Sequence, residues 1–145
     1  MYKHVLISTD GSELSAKAVR DGLQFAKEIG ARVTALHVTP PFYPAELTPS
    51  ALTAHAREHE AKSQESVRRA LGAAEEAARA AGVPCTAVHR VGDGPFEEII
   101  HVAAESGCDL IFMGSHGRRG VKAMLLGSET NKVLTHSKIP VLVTR

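Results

Sequence analysis

The sequence predicts an α/β fold, a five-stranded parallel, doubly wound sheet with helices on both faces. Three observations carry that expectation. Short apolar runs without polar alternation recur along the 145 residues, as strands buried on both faces require. Segments with apolar residues three to four apart lie between those runs. Gly30, Gly82 and Gly107 stand where those helical segments should stop. Strands that alternate with helices pair in parallel, because each crossover returns the chain to the same end of the sheet.

The elements follow in order. His4 to Ser8 is the first strand. Asp10-Gly11-Ser12 turns the chain, and Ser12 is a good N-cap for a helix running to about Ile29. Ala31 to Thr39 is the second strand. Pro40, Pro41 and Pro44 surround Phe42 and Tyr43; three prolines remove donors and fix φ, so this is a loop. A charged segment rich in Ala, Glu and Arg, from about Ser50 to Ala81, reads as helix with Val67, Leu71 and Ala74 on one face. Cys85 to Val91 is the third strand, and Gly92-Asp93-Gly94-Pro95 the turn into the next helix. Phe96, Ile99, Ile100 and Ala103 form that helix's apolar face. Asp109 to Gly114 is the fourth strand, Ser128 to about His136 the last helix and Pro140 to Thr144 the last strand. No composition shift marks a linker, so residues 1–145 read as one domain.

Composition narrows the class. Apolar residues make up 43% of the chain and aromatics only 4%, so Ala, Val, Leu and Ile must form the core. A formal net charge of +1 argues for neither a nucleic-acid surface nor a membrane surface. Cys85 and Cys108 share no CxxC spacing and sit beside strands; they read as buried, reduced thiols in a reducing compartment. Asp10 arrives before any apolar run long enough for a signal peptide, and nothing approaches the ~18 apolar residues of a membrane span. The expectation is a soluble cytoplasmic protein.

The most informative stretch is Gly114-Ser115-His116-Gly117, followed nine residues later by Gly127-Ser128 at a helix start. Glycine lets backbone amides approach a phosphate with no Cβ in the way. A serine at a helix start adds a hydroxyl to the free N–H groups and the positive dipole end found there. In a doubly wound sheet the ligand sits beyond the carboxyl ends of the strands, where strand order reverses. Ser8-Thr9-Asp10, His37-Val38-Thr39 and Met113-Gly114 should all end at that place. The Asp10 carboxylate can accept from ribose hydroxyls or close an Asx turn with Gly11. Arg118, Arg119 and Lys122 can neutralise phosphate charge or form a solvated basic loop.

The spacing Gly114-x2-Gly117-x9-Gly127-Ser128 resembles the ATP-binding motif of universal stress proteins. The resemblance extends over nearly the whole chain. Lys3 to Ser12 is similar to that family's first strand and turn, Ala35 to Val38 to its second strand and Ile139 to Arg145 to its closing strand. It implies a Rossmann-like sheet of the adenine nucleotide alpha hydrolase type. It also implies a nucleotide held by Thr9, Asp10, Val38 (through its backbone, to adenine), Met113, Gly114, His116, Gly117, Arg118, Gly127, Ser128, Glu129 and Thr130. The implied ligand is ATP, or ADP or AMP, with any Mg2+ held through the phosphates. A homodimer through the Val141–Val143 strand is implied as well, since an apolar edge strand invites pairing. One position departs from the family pattern. Glu129 stands where a small apolar residue is more usual, and a carboxylate there either turns outward or weakens triphosphate binding.

Other motifs carry less. No P-loop GxxxxGK[ST] is present, and Gly92-Asp93-Gly94 lacks the third glycine of a dinucleotide fingerprint. His55, Glu58 and His59 match an H-x-x-E-H zinc pattern, but no third ligand can be pointed to and the segment reads as a solvated helix face. Ser115-His116 invites a hydrolase reading; adjacent residues rarely point their side chains at one another, so His116 reads as a loop residue near phosphate. The expected function is adenine-nucleotide binding in a stress response, the nucleotide acting as a structural or regulatory ligand. A weak ATPase or nucleotidyl-transfer enzyme and an interaction module without nucleotide remain as alternatives.

Overall fold

The computed structural model describes residues 1–44, 48–116 and 126–145. Among the described residues nine elements alternate: β1 (His4–Ser8), α1 (Glu13–Ile29), β2 (Arg32–Thr39), α2 (Pro49–Ala81), β3 (Cys85–Val91), α3 (Pro95–Glu105), β4 (Leu110–Gly114), α4 (Ser128–His136) and β5 (Val141–Thr144). All strand pairs are parallel, in the order β3-β2-β1-β4-β5. The chain winds outward from β1 through β2 and β3, then returns to the other side of β1 for β4 and β5. Strand order therefore reverses between β1 and β4, the doubly wound arrangement expected from the sequence.

Strand alternation divides the core into two layers. Val5 and Ile7 of β1, with Val33, Ala35, Leu110 and Phe112, pack beneath Val19, Leu23 and Ala26 of α1 and Leu71, Ala74 and Ala78 of α2. Leu6, Leu36, Ile111 and Met113 face the other way, onto Ile99, Val102 and Ala103 of α3 and Val133 of α4. At about 25 cal/mol per Å2 this two-sided burial is the main stabilising term. α1 lies close against the sheet at Gly22, where a Cβ would come within 2.8 Å of Ile7 Cδ1.

The helix ends match the punctuation of the sequence. Ser12 accepts the Ser15 N–H at 3.2 Å as N-cap of α1, and Gly30 and Gly82 close α1 and α2 in the left-handed region. Two expectations need correction. Ile100 is only half-buried and Val102 takes its place in the core, because α3 presents 99, 102 and 103 to the sheet. Cys85 is half-buried rather than buried, because β3 is an edge strand; Cys108 is buried. No described helix is long and apolar enough to cross a membrane.

His4 is buried at the start of β1, its Nε2 2.8 Å from the Thr34 hydroxyl. Burial, and then Arg32, hold its imidazole below the ordinary histidine range. His89 is lowered too, chiefly by burial and then by His37. A folded pKa below the unfolded value means that the unfolded chain binds more protons, so this contribution is intact above about pH 6.5 and is lost as pH falls through it. Carboxylates titrate lower, so the window from pH 7.5 to 5.5 isolates the histidines. Urea midpoints should fall across that window, and His4→Gln should flatten the slope. An unchanged slope in that variant would contradict the assignment.

Candidate functional site

The carboxyl ends of β1, β2 and β4 meet where strand order reverses. At the end of β1 the side chains are committed to shaping the turn. Thr9 Oγ1 accepts the Gly11 N–H at 3.2 Å and lies 3.1 Å from Ser15 Oγ. Asp10 Oδ1 accepts the Ser12 N–H at 2.9 Å, which is an Asx turn onto the residue after Gly11. Gly11 has φ +80°. Asp10 and Gly11 form one wall of a cavity of about 290 Å3, and Lys62, Glu65, Ser66 and Arg69 of α2 form the other. These α2 residues recur every three to four positions on one helix face. Sequence reading missed them, since nothing local ties that face to Asp10.

At the end of β2, His37 decides what remains open. It is 3% exposed. Its Nδ1 is 2.8 Å from the Thr9 carbonyl, which can only accept, so Nδ1 carries the proton; its Nε2 lies 2.7 Å from Ser66 Oγ. The last β1–β2 bond runs from the Thr9 N–H to the Leu36 carbonyl. Parallel pairing would next join the Val38 N–H to the Thr9 carbonyl. That carbonyl turns to His37, and no backbone bond links Thr9 to Val38. Val38 thus presents its peptide group on the β1 side, beyond the point where β1 has left the sheet. His37 carries no local sequence signal for this role; its partners are 28 and 29 residues away.

At the end of β4 the backbone closes on itself. The Ser115 N–H donates to the Thr144 carbonyl at 2.7 Å, and the Gly127 N–H donates to the Ser115 carbonyl at 2.6 Å. The Gly127 amide is thus bonded to the loop backbone. A side chain at Gly127 would crowd that closure, since a Cβ would lie 3.1 Å from the Ser115 oxygen and 3.4 Å from His116 Cα. Gly127 is the N-cap of α4 and brings no side-chain cap. The amides of the first turn, Ser128 to Thr130, follow it. Thr130 Oγ1 donates to the Gly114 carbonyl at 2.9 Å, tying α4 to β4. Met113 is buried in the core beneath α3 and α4.

Ser115 Oγ lies 3.1 Å from His116 Nδ1, so the two adjacent side chains do meet, contrary to expectation. The chain leaves β4 here, and the extended alternation that separates neighbours ends. Ser115 is only 6% exposed, and His116 Nε2 is buried with no hydrogen-bond partner. Among the described residues no third group orients the His116 ring, as a nucleophile–base dyad would need. Gly117, Arg118, Arg119 and Lys122 lie outside the described residues.

Glu129 resolves the departure noted in the motif. Its Oε2 accepts the Phe96 N–H of α3 at 2.9 Å, and its Oε1 lies 3.2 Å from Lys132 Nζ. The carboxylate thus leans onto the neighbouring helix. In the H-x-x-E-H segment, Glu58 pairs with Lys62 at 2.8 Å and the His59 ring packs 5.5 Å from Phe42. A larger hollow of about 520 Å3 opens at the opposite end of the sheet. There Lys27 and Arg32 line it beside Gly30, Gly82 and Gly107, the cation-at-carboxyl-end arrangement that helix dipoles favour.

Comparison with known proteins agrees with this architecture. The profile of the universal stress protein family matches residues 1–145. The chain is 36% identical over 152 residues to universal stress protein YxiE of Bacillus subtilis, covering all of both chains. Its fold superposes on hypothetical protein MJ0577, from Methanocaldococcus jannaschii, with a TM-score of 0.81 and 32% identity, covering 99% of this chain and 96% of that one. A universal stress protein solved in complex with cAMP superposes with a TM-score of 0.67 and 26% identity, over 99% and 97% of the two chains. The chain belongs to the universal stress protein family.

Proposed function

We propose that the protein binds an adenine nucleotide in the crevice between β1 and β4, as a structural or regulatory ligand of a stress-response protein. The observation that carries this reading is the start of α4. It opens at the switch point of the sheet, its N-cap brings no side chain, and the one carboxylate of its first turn leans onto α3. A helix start of this kind suits an anion, by its free N–H groups and its dipole. In this reading the phosphates lie over Gly114, His116, Gly117 and the Ser128–Thr130 amides, with Arg118 as a counter-charge. The ribose lies by Asp10, and the adenine edge pairs with the open peptide group of Val38. Thr9 and Met113 support the site through their packing and bonds, and the Thr130 side chain holds α4 to β4 while its amide faces the phosphates. The ligand class is ATP, ADP or AMP, with Mg2+ carried on the phosphates. The cAMP complex of a 26% identical relative supports the adenine assignment. We place the protein in the cytoplasm, where the free thiols of Cys85 and Cys108 would stay reduced.

Stability and binding come apart at Ser128. Ser128→Glu adds a carboxylate at the first residue of α4, which favours the helix dipole but repels phosphate. Calorimetric titration with ATP should show about tenfold weaker binding, as expected when ~1.4 kcal/mol is lost, while the melting temperature holds or rises. Undiminished affinity would place the phosphates elsewhere.

We propose further that two copies pair through β5, an edge strand with half-buried residues Val141, Leu142 and Val143. An unpaired edge with apolar side chains is a template for another strand. Leu142→Lys should shift the light-scattering mass from dimer to monomer, and a dimer that survives the substitution would rule out this edge.

A further inference from the structure

We infer that Glu129 is a positioning residue of the phosphate site. By capping α3 with its carboxylate, it fixes the first turn of α4 while staying off that turn's own amides. The inference rests on the nucleotide reading above.

α3 lacks a cap of its own. Its N-cap is Gly94, with no side-chain hydrogen bond, and Pro95 follows at the first helical position with no N–H. The Phe96 N–H is the first donor α3 offers, and Glu129 Oε2 takes it at 2.9 Å from a different helix. The same face of α4 supplies the rest of the clamp. Lys132 Nζ lies 3.2 Å from Glu129 Oε1 and 5.3 Å from the Phe96 ring centre, and the His136 ring lies 5.7 Å from that of Phe96. Positions 129, 132 and 136 are three and four apart, so they stand one above another on the helix.

On its other side α4 is tied to β4 through Thr130 and Gly127. Its start is thus held from two directions. A carboxylate in the first turn ordinarily neutralises its own helix. Here its hydrogen bond goes to α3 instead, so the carboxylate does not cap the first-turn amides of α4. That division turns an unfavourable residue for a phosphate site into part of its support.

A local cap for α3 distinguishes positioning from general stabilisation. Gly94 has extended backbone (φ −128°, ψ 124°), and a Cβ there would lie 3.5 Å from Phe96 Cδ1, an ordinary contact. Gly94→Asp therefore caps α3 from its own chain. ATP affinity and melting temperature are measured for the wild type, Glu129→Ala, Glu129→Gln and the Glu129→Ala/Gly94→Asp double variant. Glu129→Ala should melt lower and bind about tenfold more weakly, the scale of one charge-assisted hydrogen bond. Glu129→Gln keeps an acceptor and should stay close to wild type in both. The double variant should regain the melting temperature but not the affinity. Unchanged or tighter binding by Glu129→Ala would overturn the inference, and so would affinity restored together with stability in the double variant. A wild-type protein that binds no ATP would overturn the nucleotide reading as well, which separates the two failures.

Discussion

The structure depends on one constraint, a central strand buried on both faces and paired on both edges. Val5, Leu6 and Ile7 of β1 have essentially no exposure. Such a strand must be covered by helices above and below, so the chain wraps to one side of the sheet and then to the other. The connections after β1 and β4 leave toward opposite faces, α1 over one layer and α4 over the other. The crevice between them is a consequence of topology, and it exists before any side chain is chosen to fill it.

Side chains then shape the strand ends at the switch point. His37 draws the Thr9 carbonyl away from Val38, ending β1–β2 pairing one bond early. Thr130 and Gly127 hold the start of α4 against the end of β4, and Glu129 braces it from α3. These hydrogen bonds are buried or partly buried, where leaving the partner unpaired costs more than the bond itself gains. Polar groups that in most cores would be spent on regular pairing are here redirected, and the result is peptide groups that face outward at the switch point.

Much of this was legible in the sequence, for physical reasons. Strand and helix positions followed from apolar runs and from punctuation at Ser12, Gly30, Pro95 and Gly107, because caps and breakers act within a few residues of themselves. The switch-point position of Asp10 and Gly114 followed from element order alone. What was not legible acts across space. His37 reaches Thr9 and Ser66, Glu129 reaches Phe96 from 33 residues away, and the α2 face from Lys62 to Arg69 meets Asp10 only after folding. Asp10 fits the Asx turn seen in the sequence, which is compatible with a ribose contact through the same carboxylate. The Ser115–His116 contact was not legible because neighbouring side chains rarely face one another, and here they do so only because the chain leaves β4 at Gly114.

The central claim is that an adenine nucleotide spans the crevice from Val38 to the first turn of α4. An amide-resolved NMR titration with ATP tests it most directly. Saturable shifts are expected of the Val38, Gly114, Ser128 and Thr130 amides, with the Gly30 and Gly107 amides at the opposite end of the sheet unmoved. Shifts confined to that opposite end, or none at millimolar ATP, would contradict it.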